Sequence, residues 1–279
     1  MTAPRRGGIC HTFIAIFALV AGAVTGPAQA AEEAALSITL NAVSATEAGG
    51  CRLSFVIRND LGADIESLVA EAVLFDKDGT LFDFHTTWSH WAHEVLHDLA
   101  AGDAALVARL AETVDYDLAA RRFRPTSPVI AGTNREAAEC LASALPGRDV
   151  AAIEDHLMLS AAQAPLAPAV PLGPFLDGLR TQGLRLGVMT NDTEYGARAH
   201  LTAAGVLERF DFVAGFDSGH GAKPAAEPLL AFARAVKVDP ARVVMVGDST
   251  HDLIAGRRAG MACIGVLTGT ALAGDLAPH

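Results

Sequence analysis

The chain has 279 residues, of which 51% are hydrophobic, and its formal net charge is -11. A chain of this length and apolar content can bury a full α/β core together with a smaller second domain. The negative charge, and the absence of a basic stretch interleaved with aromatic residues, argue against nucleic acid as a partner. The four cysteines show no Cys-x-x-Cys spacing and give no disulfide framework.

The first thirty residues have the three regions of a secretory signal peptide, in order. Two arginines precede an apolar stretch from Phe13 to Val24, and an Ala-x-Ala cleavage pattern ends at Ala30. The apolar stretch is too short for a comfortable membrane span. We therefore expect residues 1–30 to be removed, leaving a periplasmic or exported chain without a stable membrane span. The alternative is a cytoplasmic protein whose first residues form an apolar helix.

Residues 31–69 predict a small β-structured extension. Leu36 to Leu40 and Cys51 to Ile57 alternate apolar and polar residues with a period of two, around a glycine-containing turn. This pattern is typical of a β-hairpin with one buried face. The extension differs in character from the rest of the chain, which suggests a fusion, natural or artificial, that ends near residue 70.

Four later segments place polar residues where they can meet. Three of them directly follow apolar, β-branched runs that we predict to be strands, and the fourth contains a lysine. The segments are Asp76-Lys77-Asp78-Gly79-Thr80, Thr190-Asn191, Lys223-Pro224, and Gly247 to Asp252. Since ligands of open parallel sheets bind at the carboxyl ends of the strands, we expect one site built from all four.

The residue types in these segments suit the chemistry of a phosphate monoester. A carboxylate that attacks such a dianion requires a divalent cation and a lysine to neutralise charge. Asp76, Asp248 and Asp252 supply the hard oxygen ligands that Mg²⁺ prefers. Asp78 lies beyond the strand end, where it can protonate a leaving oxygen and then deprotonate water. Attack by Asp76 would give an aspartyl phosphate, which divides one difficult hydrolysis into two easier steps.

From about Glu71 onward, these four segments resemble the motifs of the haloacid dehalogenase-like phosphatase superfamily, and most closely its phosphoglycolate-phosphatase-like group. The resemblance implies a Rossmann-like, three-layer α/β core with a parallel sheet and an inserted helical cap. It also implies a set of site residues that falls into three roles. These are Asp76 and Asp78 as catalytic residues, Thr80, Thr190, Asn191 and Lys223 as phosphate ligands, and Asp76, Asp78, Asp248 and Asp252 as the Mg²⁺ site, where Asp78 contributes its backbone carbonyl and Asp252 supports the metal.

The composition between residues 87 and 167 changes to an alanine-rich, helical periodicity, which predicts the cap. Residues 70–86 and 168–279 then form the core, and a proline-rich return segment from Gln163 to Pro174 joins the two. A cap excludes water and contacts the substrate, so we expect substrate specificity to be determined there. The short segment after Leu267 leaves open whether the edge of the sheet is bare.

The cap also contains His93-Glu94-Val95-Leu96-His97, the His-Glu-x-x-His pattern of zinc proteases. We interpret it as a polar helix face, because no third ligand is evident. A further possibility is that cap side chains contact an anionic end of the substrate. The candidates are His85, His90, Arg121 and Arg122.

Three functions remain open from the sequence. The first is a Mg²⁺-dependent phosphomonoesterase for a small phosphorylated metabolite, with phosphoglycolate as the first candidate. The second is a phosphatase or phosphomutase for another sugar phosphate or organic-acid phosphate. The third is an exported binding or structural protein whose truncated core is inactive.

Overall fold

The computed structural model describes residues 16–20, 36–45, 51–59 and 70–279. The signal-peptide cleavage site and the turn of the predicted hairpin lie outside these residues. In the described part of the chain, no helix combines the length and the apolar character that a membrane span requires.

The described strands form a large mixed sheet and a short two-stranded ribbon. The large sheet contains β1 (Ile16–Val20), β2 (Leu36–Ala45), β3 (Cys51–Asn59), β4 (Ala72–Phe75), β7 (Arg185–Met189), β8 (Phe212–Ala214), β9 (Val243–Gly247) and β10 (Ala262–Gly265), and the ribbon contains β5 (Tyr116–Asp117) and β6 (Arg122–Phe123). The order in the large sheet is β3-β2-β1-β10-β9-β4-β7-β8. The five strands from β10 to β8 run parallel, whereas β1, β2 and β3 pair antiparallel.

Helices cover both faces of the parallel part of this sheet. The core helices are α5 (Leu172–Thr181), α6 (Glu194–Ala203), α7 (Glu227–Val236), α8 (Thr250–Arg258) and α9 (Ala273–Leu276). Alternate residues of each strand point to opposite faces, so Leu74 and Met245 pack with α7 and α8, whereas Val73 and Val244 pack with α5 and α6. Because both faces are covered, the central strands are continuously apolar. The predicted three-layer α/β architecture is confirmed.

The inserted cap is helical and has its own apolar core. It contains a π-helical turn at His85–Ser89 and the helices α1 (His90–Ala100), α2 (Ala104–Thr113), α3 (Asn134–Ala142) and α4 (Val150–Ala161). Helix α3 begins with a capping box, in which Thr133 and Glu136 satisfy each other's backbone N–H groups. The hydroxyl of Tyr116 donates a hydrogen bond of 2.7 Å to the carbonyl of Ser89, which ties the ribbon to the first cap turn.

The edge of β10 differs from what the sequence suggested. We considered that the short C-terminal segment leaves this edge bare, but β1 pairs with it, with Ala18 opposite Gly265. Strand β1 lies within the apolar stretch that we interpreted as the hydrophobic region of a signal peptide. A helix, α9, also follows β10 and packs through Leu276 on the core.

Candidate active site

The site lies at the carboxyl ends of three neighbouring parallel strands. Asp76 directly follows β4, Thr190 follows β7 and Asp248 follows β9, and all three side chains are buried. Since β4 lies between β7 and β9, the sheet itself brings these residues together although they are far apart in the sequence. The convergence expected from the sequence is present.

Lys223 joins the group from the loop between β8 and α7. Its ammonium Nζ lies 2.7 Å from Oδ1 of Asp76 and 2.6 Å from Oδ1 of Asp252. Asp252 occupies the first turn of α8, where its other oxygen accepts hydrogen bonds from the backbone N–H and the hydroxyl of Ser249. Both oxygens of Asp252 are therefore engaged, so this residue fixes the lysine and the start of the helix.

The side chain of Asn191 connects the lysine loop to the cap. Its amide nitrogen donates to the carbonyls of Lys223 and Ala131, at 2.9 Å each, and its oxygen accepts from the backbone N–H of Lys223. No amide hydrogen remains for a phosphate group. The side chain of Asn191 therefore positions the lysine loop and links it to the cap, and a phosphate contact by this residue would use its backbone N–H.

The acidic residues provide a suitable site for a divalent cation. One oxygen from each of Asp76, Asp248 and Asp252 lies within 4.8 Å of the others. Burial raises the pKa of Asp76 to about 7, with Lys223 opposing and Asp252 and Asp78 adding to the rise. Burial and the neighbouring Asp76 also raise the pKa of Asp248 well above its usual range. Because one ammonium faces three carboxylates and all donors are hard oxygens, the set fits Mg²⁺.

Two glycines pack against the carboxylate of Asp248 at positions where a larger residue would collide with it. Gly79 has a left-handed φ of +75°, and a Cβ there would collide with that carboxylate. A Cβ at Gly269 would meet it as well. Thr80 completes the contact, since its hydroxyl lies 3.4 Å from Oδ1 of Asp248. Thr80 therefore lies at the metal side of the site, next to the position predicted for phosphate.

The side chain of Asp78 turns away from this acidic group. Its Oδ1 accepts a hydrogen bond of 2.8 Å from the ammonium of Lys77, and the hydroxyl of Thr190 lies 3.4 Å from Oδ2. The side chain of Asp78 is thus outside the group of three carboxylates, and its predicted contact with Mg²⁺ concerns its backbone carbonyl. This arrangement leaves Asp78 available for proton transfer.

Sequence reasoning missed the network behind Asp78. Lys77 is fully buried, and its ammonium also lies 3.0 Å from Oδ2 of Asp192 and 2.9 Å from Nδ1 of His200. Burial alone would lower the pKa of Lys77, but Asp78 and Asp192 outweigh it and the pKa is raised, so Lys77 is charged. Burial and Lys77 lower the pKa of His200. Neutral His200 then accepts from Lys77 and donates through Nε2 to the carbonyl of Ala161.

A cavity of about 120 Å³ extends from Asp76 and Asp78 into the cap. The cationic and histidine side chains that we considered as substrate contacts do not line it. These are His85, His90, Arg121 and Arg122. The rings of His93 and His97 are 4.6 Å apart, but neither belongs to a group of three metal-ligating side chains in the described part of the chain. The structure thus gives no support to a zinc site in the cap.

Residues 70–260 match the sequence model of a hydrolase family described as haloacid dehalogenase-like hydrolase. This match covers more than half of the chain, and the protein belongs to that family.

Two relatives and one solved structure illustrate the similarity. A probable phosphatase of Dickeya dadantii (strain 3937) is 42% identical over 109 residues. These residues make up 38% of this chain and 47% of that relative, so the match spans less than half of the relative's length. A phosphoglycolate phosphatase of Xylella fastidiosa (strain 9a5c) is 34% identical over 71% of this chain and 80% of its own. The crystal structure of a predicted phosphoglycolate phosphatase from Haemophilus somnus 129PT shares the fold, with a TM-score of 0.52 and 21% identity over 70% of this chain and 84% of its own.

Proposed function

We propose that the protein is a Mg²⁺-dependent phosphomonoesterase that acts on a small phosphorylated metabolite. The observation that carries the proposal is the arrangement around Asp76. This buried carboxylate is held by Lys223, lies beside Asp248, and opens into the same cavity as a second carboxylate, Asp78. Buried carboxylates are costly unless their charges are balanced. A binding or structural protein has no need of the three buried acids Asp76, Asp248 and Asp252 around one lysine.

Each residue has a defined part in the proposed reaction. An oxygen of Asp76 forms a bond to phosphorus while the bond from phosphorus to the ester oxygen breaks. Asp78 takes up a proton from solvent as the substrate binds, gives it to the departing alcohol, and then takes a proton from the water that attacks the phosphorylated Asp76. Inorganic phosphate leaves and Asp76 is restored.

Positive charge beside Asp76 supports these steps by lowering the negative charge of the site. The ammonium of Lys223, 2.7 Å from Asp76, faces the transferring group, and the hydroxyl of Thr190 lies on the Asp78 side. Mg²⁺ held by Asp76 and Asp248 would neutralise the charge of the phosphoryl oxygens and orient them. Asp252 keeps Lys223 in place through its 2.6 Å contact.

The substrate suggested by relatives is phosphoglycolate, since the Xylella fastidiosa protein carries that name. A phosphomutase would use the same two carboxylates and is distinguished by its product, a transferred phosphoryl group instead of free phosphate. An inactive binding protein is distinguished by the absence of either product.

The test is release of inorganic phosphate by the purified full chain from phosphoglycolate, from a panel of sugar phosphates and from an aryl phosphate. We expect release with Mg²⁺ and none in EDTA, and we expect Asp76→Asn to abolish it. Asp155→Asn, an exposed position on α4, is the matched control and should behave as the parent chain. Equal release in EDTA, or from the Asp76→Asn variant, would refute the proposal.

A further inference from the structure

The cavity above the carboxylates has two chemically different ends. The end at the sheet contains Asp76, Asp78 and Lys223. The end within the cap is walled by aromatic and aliphatic side chains. Those that define it include Phe84, Trp88, Trp91, Val95, Leu96 and Ile130. A phosphate ester bound with its phosphate at the sheet would therefore place its alcohol part among apolar groups.

The cap end offers no cation to a substrate. Lys223 is the one lysine or arginine among the described residues that line the cavity, and its ammonium lies at the sheet end, 2.7 Å from Asp76 and 2.6 Å from Asp252. A carboxylate in the cap end, such as that of phosphoglycolate, would lose water without gaining a counter-charge, which is strongly unfavourable. The absence of a lysine or arginine at the cap end therefore disfavours phosphoglycolate, the substrate that the relatives suggest.

Three polar side chains in the cavity wall make hydrogen bonds within the protein. The side chain of Asn134 donates to the carbonyl of Glu154 at 3.0 Å, and the hydroxyl of Thr133 donates to Glu136. Nδ1 of His251 lies 3.1 Å from the carbonyl of Ala131. These contacts hold the three side chains in the wall, and they bring no lysine or arginine to the cap end.

The aromatic wall is held in a fixed geometry. Trp88 and Trp91 meet edge to face with their ring centroids 5.0 Å apart. The indole N–H of Trp91 donates to the hydroxyl of Ser160 at 3.1 Å, and the ring of Trp88 lies 5.1 Å from the buried ammonium of Lys77. Because the N–H of Trp91 is occupied by Ser160 and one face of Trp88 is covered by Lys77, the remaining ring surface of this pair is mainly apolar. The cavity is about ten times the roughly 10–15 Å³ that one water requires.

We propose that this cavity selects phosphate monoesters of apolar alcohols, with an alkyl or aryl group in the cap and the phosphate at Asp76 and Lys223. The inference rests on the proposed phosphatase function and names its substrate class. Under this proposal, substrate specificity comes from burial of the apolar alcohol group in the cap, and not from recognition of a second anionic group on the substrate.

The first test is turnover of a homologous series of n-alkyl phosphates, from methyl to hexyl, beside phosphoglycolate. Within the series the leaving alcohols are chemically alike, so differences report on binding of the chain. We expect kcat/KM to rise roughly fourfold for each added methylene until the cavity is full, which follows from about 0.8 kcal/mol per buried methylene. Phosphoglycolate should be a poorer substrate than propyl phosphate. A flat or falling series, with phosphoglycolate preferred, would overturn the inference and leave the phosphatase function intact.

The second test does not depend on turnover. Trp88 and Trp91 are the two tryptophans of the chain and both line the cavity, so tryptophan fluorescence reports on its occupation. We would titrate n-alkylphosphonates, which lack the ester bond, and phosphonoacetate as the anionic comparison. We expect tighter binding as the alkyl chain lengthens and the weakest binding for phosphonoacetate. The opposite order would refute the inference whether or not the protein hydrolyses esters.

A charge placed in the wall tests the position of the subsite. Ile130 is half-buried and lines the cavity, so Ile130→Lys should lower kcat/KM for hexyl phosphate at least tenfold and improve phosphoglycolate relative to it. Ile130→Leu, which keeps an apolar side chain, should retain the parent preference. Leu159→Lys introduces the same charge at a cap position that is 54% exposed and outside the cavity, and should change neither rate. An unchanged preference in a folded Ile130→Lys protein would contradict the proposal.

Discussion

Replacing Lys77 by methionine removes the charge on which two carboxylates depend. The ammonium of Lys77 is fully buried, 2.8 Å from Asp78 and 3.0 Å from Asp192, and it also donates to His200. Methionine keeps most of the aliphatic volume, so the change isolates the loss of charge from the loss of packing. The two carboxylates would then be buried without their partner, or would have to bind protons.

Removal of one partner of a buried ion pair typically costs about 3–5 kcal/mol of unfolding free energy. For a domain of this size, each kcal/mol shifts the melting temperature by roughly 2–4 °C, so Lys77→Met should melt about 6–20 °C below the parent chain. The measurement is thermal unfolding followed by circular dichroism, with denaturant unfolding at equilibrium to give the free energy.

Two variants make this measurement decisive. Lys237 is exposed, and Lys237→Met should change the unfolding free energy by no more than about 0.5 kcal/mol. Adding Asp192→Asn to Lys77→Met removes one of the stranded charges and should recover part of the lost stability. If Lys77→Met melts within 2 °C or so of the parent chain, the ammonium does not compensate these carboxylates and the charge argument is wrong.

The remaining predictions concern the reaction itself. Asp76→Asn should lose essentially all turnover, because it removes the attacking charge and a metal ligand; activity above a few per cent in a steady-state assay would end that assignment. Asp78→Asn should slow turnover by roughly 10²- to 10⁴-fold, the usual scale of proton-transfer assistance, and an unaffected rate would place this role elsewhere. Mg²⁺ should activate and Ca²⁺ should replace it poorly, because the looser coordination of Ca²⁺ misplaces the phosphoryl group. Asp248→Ala should raise the Mg²⁺ requirement or abolish turnover, and a Mg²⁺ titration unchanged from the parent would contradict the metal site.

The parallel core could be predicted from the sequence because its signals are local. Asp76, Thr190 and Asp248 each follow directly on an apolar run, so strand prediction alone places them together at the carboxyl ends of parallel strands. The order of the segments along the chain then gives the fold. No knowledge of the partners of any side chain was required.

The parts that escaped prediction depend on distant partners. Lys77 was visible in its motif, but its burial follows from Asp192 and His200, more than a hundred residues further along the chain. Asn191 was predicted as a phosphate ligand, and the sequence does not reveal that its side-chain amide is occupied by the carbonyls of Lys223 and Ala131. The cavity wall is formed by apolar residues from several separate cap segments. In the sequence these residues have the pattern of ordinary helix core, so the cavity could not be predicted.

Export is the prediction that the fold bears on most directly. Cleavage after Ala30 would remove Ile16–Val20, and with it the strand that pairs with β10. An exported chain that begins at Ala31 therefore cannot keep β1 beside β10, and an unpaired sheet edge favours association between chains.

The N-terminus of the expressed protein, determined by mass spectrometry on periplasmic and cytosolic fractions, distinguishes the two states. We expect a start at Ala31 in the periplasm, and an intact Met1 in the cytosol would contradict export and keep β1 available to the sheet. Light scattering of chains that begin at Met1 and at Ala31 should then show stronger self-association of the shorter one. Both should hydrolyse substrate equally, because every proposed catalytic residue lies at or after Asp76; loss of activity in a soluble shorter chain would mean that β1 supports the core on which the site is built.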